Sequence, residues 1–165
     1  MLFLGRTPLI SEEAFLALCG EHLTVEDRDA LGALFSPDGA PSGHPFVAAW
    51  RRKENGLRSA IAAARASRRG QDATVHLRAG EAGVSAVRAV AEAFGRATPA
   101  EREFELDRCR WQTVEELAGM DIFSSAAVLG YGLKLRMAHR WAAMVAETGR
   151  RRLEESVDEA AAAAP

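Results

Sequence analysis

The sequence predicts an all-α fold, a single compact multi-helix bundle of five to seven helices. Three observations carry that prediction. Apolar residues recur at helical spacing in several runs. Capping residues open those runs and glycines close them. Of 165 residues, 48% are apolar, enough for one real core. The domain should span 1–157, with 158–165 a frayed alanine-rich tail.

The start, Met1-Leu2-Phe3-Leu4-Gly5, is apolar but short, and Arg6 and Pro8 interrupt it. It is too short for a signal peptide or a membrane span and reads as an extended segment against the core. Direct membrane insertion is therefore not expected. Ser11 caps a first helix running to about His22, with Phe15, Leu16, Leu18 and Cys19 apolar. Thr24 caps a second, with Leu31 and Leu34 on a narrow apolar edge. Glu12, Glu13, Glu26 and Asp27 all fall in first turns, where the helix dipole and capping account for them. Pro37, Gly39, Pro41, Gly43 and Pro45 make 36–45 a loop, with His44 exposed.

A long helix follows from about Phe46 to Arg69. Phe46, Trp50, Leu57, Ile61 and Ala64 form its stripe, and Arg58 and Arg65 share a neighbouring edge. Those arginines suit either solvent or the surface of an acidic partner. Residues 70–80 are polar and turn-rich, with a short extended piece at 74–77. Residues 82–96 are alanine-rich and helical, and their weak helix-forming valines suggest a partly mobile insertion.

The stretch 98–152 organises the chain. Thr98, Pro99 and Glu101 form a capping-box start. Leu106, Cys109, Thr113, Val114 and Leu117 fall on one arc, with Arg110 inside it and Glu103 at its edge. Gly119 should end this helix with a positive φ. Ser124 caps the next, which should run to about Glu147 and stop at Gly149, about 35 Å in all. Its apolar arc covers more than half the circumference. Arg136, His139, Arg140 and Glu147, with Ser125 and Gly132, occupy the remaining polar strip. Lys134 lies inside the apolar arc and needs a carboxylate, a route to solvent or a partner. Glu103 and Asp107 are its candidate acids. Together Glu103, Asp107, Arg110 and Lys134 suggest an internal polar network. Arg58, Arg65, Arg136 and Arg140 are the candidate partner-binding positions.

Net charge is −2, which gives no bulk attraction to nucleic acid. Cys19 and Cys109 read as small buried apolar groups, and no second Cys/His pair completes a metal site. No phosphate-binding glycine motif, nucleophile elbow or metal-binding helix signature is present. The expectation is a protein with no catalytic residues and no cofactor.

The order of motifs adds a resemblance. Trp50…Glu54-Asn55-Gly56-Leu57-Arg58…Ala64-Arg65-Ala66 is followed by Thr98-Pro99-Ala100-Glu101-Arg102-Glu103, Leu106-Asp107 and Arg110-Trp111. Then come Glu116-Leu117…Phe123, Tyr131-Gly132-Leu133-Lys134-Leu135-Arg136, Arg140-Trp141 and Gly149. This set resembles a small, uncharacterised bacterial family encoded beside V-type ATPase subunits. More distantly it resembles the helical C (d) subunit of V/A-type ATPases. The resemblance covers most of the chain from Phe46 onward, and more weakly 11–34. It implies a non-catalytic accessory or assembly factor, cytoplasmic or held peripherally at the membrane by the ATPase, with stalk or rotor subunits as partners. Arg58, Arg65, Arg110 and Lys134 match the shared polar pattern. The main alternative is a stand-alone helical module for a small anionic ligand or a regulatory protein. An enzyme built on Glu103, Arg110 and Lys134 is the third.

Overall fold

A computed structural model describes Leu4, 6–36, 40–72 and 83–144. The expected features at 1–3, 5, 37–39, 74–77, 145–149, 150–152 and 158–165 lie outside these residues. Six helices are described: α1 (Glu12–His22), α2 (Val25–Phe35), α3 (Pro45–Arg69), α4 (Val84–Phe94), α5 (Pro99–Ala118) and α6 (Ser125–Ala143). The fold is an all-α helical bundle.

Local chemistry sets the helix ends. The Ser11, Thr24 and Ser124 side chains accept from the backbone N–H three residues on. At α5 the capping box is complete in both directions, with Pro99 opening the helix. Gly119 closes α5 at φ +69°, a conformation that costs glycine little. His44, expected to be exposed, is instead the cap of α3. Its Nδ1 accepts from the Phe46 N–H at 3.2 Å, and its Nε2 lies 3.3 Å from the Asp27 carboxylate. Arg51, in the second turn of α3, bridges two other segments. Its guanidinium donates to the carbonyls of Ala33 and Ala40 and ties the preceding loop to α2.

Two hydrophobic cores share α3 and α5. The first gathers Phe15, Cys19, Leu31 and Leu34 of α1 and α2 against Phe46, Val47, Val114, Leu129, Leu133 and Leu135. The second holds Leu57, Ile61, Val90, Ala93, Leu106 and Cys109 from α3, α4 and α5. The segment expected to be a mobile insertion is therefore structural. Val90 and Ala93 of α4 are 3% and 0% exposed, because the helix turns that edge onto α3 and α5. Val84 and Val87 point outward.

Two glycines let α6 approach its neighbours closely. A Cβ at Gly130 would lie 3.2 Å from Val114 and Ala118 of α5. One at Gly132 would lie 3.0 Å from Phe15 and 3.1 Å from Leu31. Gly132 thus belongs to the buried contact with α1 and α2, not to a polar strip. Among the described residues, no helix is long and apolar enough to cross a membrane.

Candidate functional site

At the seam between the cores lies a clamp of charges drawn from three helices. On α3, Glu54 stands between the residues of the first core and those of the second. On α5, Asp107 and Arg110 do the same. Arg110 reaches Glu54 with Nε at 3.0 Å, Asp107 with Nη1 at 2.8 Å and Glu103 with Nη1 at 3.4 Å. From α6, Arg140 bonds Asp107 and lies 3.3 Å from Glu103. The Trp141 indole N–H donates to Asp107 at 2.7 Å. Arg58 closes the outer side on Glu54 at 2.7 Å.

The Asp107 side chain is 1% exposed, and two guanidiniums and an indole satisfy it. Burial opposes the charge on Arg110, but Glu54 and Asp107 outweigh it and raise the guanidinium pKa. Arg110 therefore stays charged at every accessible pH. The arrangement joins three helices in one register, and its guanidiniums and carboxylates satisfy one another.

The predicted network and the observed one overlap without coinciding. Glu103, Asp107 and Arg110 come together. Lys134 does not join them. It lies 3.6 Å from Glu115 and 5.3 Å from the Trp111 ring, with its side chain 22% exposed. The helices α5 and α6 run antiparallel through a tight corner, so Lys134, midway along α6, meets Trp111 and Glu115 in the C-terminal half of α5. Glu103 and Asp107 face the other end of α6, where Arg140 and Trp141 stand. The short connection is the signal that would have placed them. Glu54 had no such signal, because its partner Arg110 is 56 residues away. The Glu105 pairs to Arg96 at 2.6 Å and Arg108 at 3.4 Å were likewise not foreseen.

The predicted docking strip on α6 is largely engaged within the fold. Arg136 donates to the Leu34 carbonyl at 2.9 Å and stacks on Phe35, and His139 bonds the Ile10 carbonyl at 2.9 Å. Arg140 belongs to the clamp. Arg58 is half-exposed and paired, whereas Arg65 is exposed. Cys19 and Cys109 are free and buried, and burial pushes both thiols up. Among the described residues, no cluster of three or more His, Cys, Asp or Glu is placed to hold a metal ion.

A second feature had no sequence reading. The corner between α5 and α6 exposes Met120 at 99%, Ile122 at 75% and Phe123 at 91%. Its backbone is nonetheless held in place. The Asp121 carboxylate accepts from the Phe123 N–H at 3.0 Å, and the Asp121 carbonyl accepts from the Ser124 hydroxyl at 2.7 Å. The corner is thus a braced turn that holds three large apolar side chains in water.

No curated protein and no solved structure matches this chain. Residues 81–162, which contain α4, α5, the corner and α6, match a family described as a protein of unknown function (DUF2764).

Proposed function

We propose that the chain is a non-catalytic, protein-binding accessory or assembly factor associated with a V-type ATPase, and that the α5–α6 corner is its main docking element. The observation that carries protein binding is the braced, exposed triad of Met120, Ile122 and Phe123. Each such side chain gains roughly 1.5–3 kcal/mol when a partner removes it from water. The ATPase association rests on the ordered motifs, of which Glu116-Leu117…Phe123 runs through the same corner. The clamp supports a structural role for the polar residues, since its acids are occupied by guanidiniums rather than poised for proton transfer. The test is affinity capture of the tagged chain from its own host, with membrane and soluble fractions read separately by mass spectrometry. Recovery of stalk or rotor subunits is expected. Recovery of the chain alone, with the ATPase expressed, would overturn the association.

A further inference from the structure

The opposite end of the molecule carries a groove of different chemistry. Its walls are the C-terminal half of α3 and the N-terminal half of α5. One part, about 630 Å³, is lined by Arg58, Arg65, Arg69, Arg110 and Glu103 over a floor of Ile61 and Leu106. The adjoining part shares Arg65, Arg69, Glu103 and Leu106, and adds Arg68, Arg102 and Phe94. The salt bridges at this end go to Arg58, Arg96, Arg108, Arg110 and Arg140. Among the described residues, Arg65, Arg68, Arg69 and Arg102 stand in no salt bridge. In a chain of net charge −2, four uncompensated guanidiniums meet along one groove.

Two of the four are already oriented. Arg68 donates to the Phe94 carbonyl at 2.6 Å and lies 4.7 Å above the Phe94 ring. Arg102 donates its Nε–H to the Arg96 carbonyl at 3.1 Å, and among the described residues its terminal nitrogens take no partner. Arg65 and Arg69 stand one turn apart on α3 and face the same space. Among the described residues that line the groove, Glu103 is the one acid, and Arg110 and Arg140 engage it. Guanidinium forks match phosphate oxygens in pairs, and like charges this close favour an anion carrying more than one negative charge. The apolar floor suits the uncharged part of such a molecule.

The geometry points to a binding site for a multiply charged phosphate group, carried by a small soluble ester or by a lipid headgroup. The site is independent of the corner, so either can fail alone. The test is titration calorimetry of the full chain with pyrophosphate, alongside co-sedimentation with phosphatidylcholine vesicles with and without phosphatidylinositol 4-phosphate. Saturable binding of one pyrophosphate per chain is expected. In the Arg65→Gln/Arg69→Gln variant it should weaken by about tenfold or more. Arg52→Gln, an exposed change earlier on α3, should leave it unchanged. All three replaced side chains are exposed, and circular dichroism checks that the helices persist. Binding of pyrophosphate but not of vesicles identifies a soluble ligand. Binding of the headgroup-bearing vesicles, displaced by pyrophosphate, identifies a lipid. No saturable binding of either probe at millimolar concentration, or equal weakening by Arg52→Gln, would overturn the site.

Discussion

The two ends of this bundle share α5 and present opposite surfaces. Where α5 meets α6, the chain exposes apolar side chains on a braced turn, with Glu116 and Asp121 beside them. Where α3 ends and α5 begins, it exposes arginines over a buried apolar floor. Near-zero net charge hides this separation entirely. Because α3 and α5 run antiparallel, residues distant in sequence sort into the two ends. The Glu54–Asp107–Arg110–Arg140 clamp lies between, where the two cores meet. The difference teaches that composition averages over surfaces that binding would treat separately.

The comparison can be broken most forcefully at the clamp. Asp107→Ala removes a carboxylate that is 1% exposed and shared by Arg110 and Arg140, whose side chains are 16% and 46% exposed. It should cost about 3–5 kcal/mol, because one partner of a buried ion pair is removed. Urea denaturation measures this, and a loss below about 1 kcal/mol would mean that the clamp does not join the halves. Gly132→Ala tests the packing of the first half alone. With a Cβ forced to 3.0 Å from Phe15, it should cost roughly 1–3 kcal/mol, read from the same midpoint shift. Lys134→Met should cost less than about 1 kcal/mol, since its pair with Glu115 is 53% exposed on the acid side. A large loss would return Lys134 to the buried network. The smallest effect is acidic. The Thr24 hydroxyl holds the Asp27 carboxyl below its ordinary value, with help from Ser125 and His44. A carboxylate depressed in the fold contributes stability above its unfolded pKa, near 4, and loses it as pH falls through the folded value. Replacing Asp27 with Asn should therefore flatten the acid limb of stability against pH and leave lower pH nearly unchanged.

Much of this was legible in the sequence, and its reach was short. Ser11, Thr24, Thr98, Ser124 and Gly119 act within four residues of themselves, so their roles could be read directly. The inward positions of Leu106, Cys109 and Val114 followed from helical spacing. Helical spacing gives an angle, however, and not the identity of the neighbour. It placed Lys134 inward but matched it to Glu103 and Asp107, which the antiparallel register assigns to Arg140 and Trp141. It placed Gly132 and Arg136 on an outer strip that α1 and α2 cover. It also could not see that Met120, Ile122 and Phe123 would stay in water, since apolar residues in a turn usually fold back onto a core.

The central claim is that the corner docks a V-type ATPase subunit. The direct measurement is quantitative affinity capture from the host, comparing the native chain with Met120→Ser/Ile122→Ser/Phe123→Ser and with Arg65→Gln/Arg69→Gln. All five side chains are exposed, so both variants should melt like the native chain. The account predicts that stalk or rotor subunits are recovered with the native chain and the arginine variant and lost with the corner variant. Undiminished recovery with the corner variant, or no ATPase subunit in any capture, would contradict it.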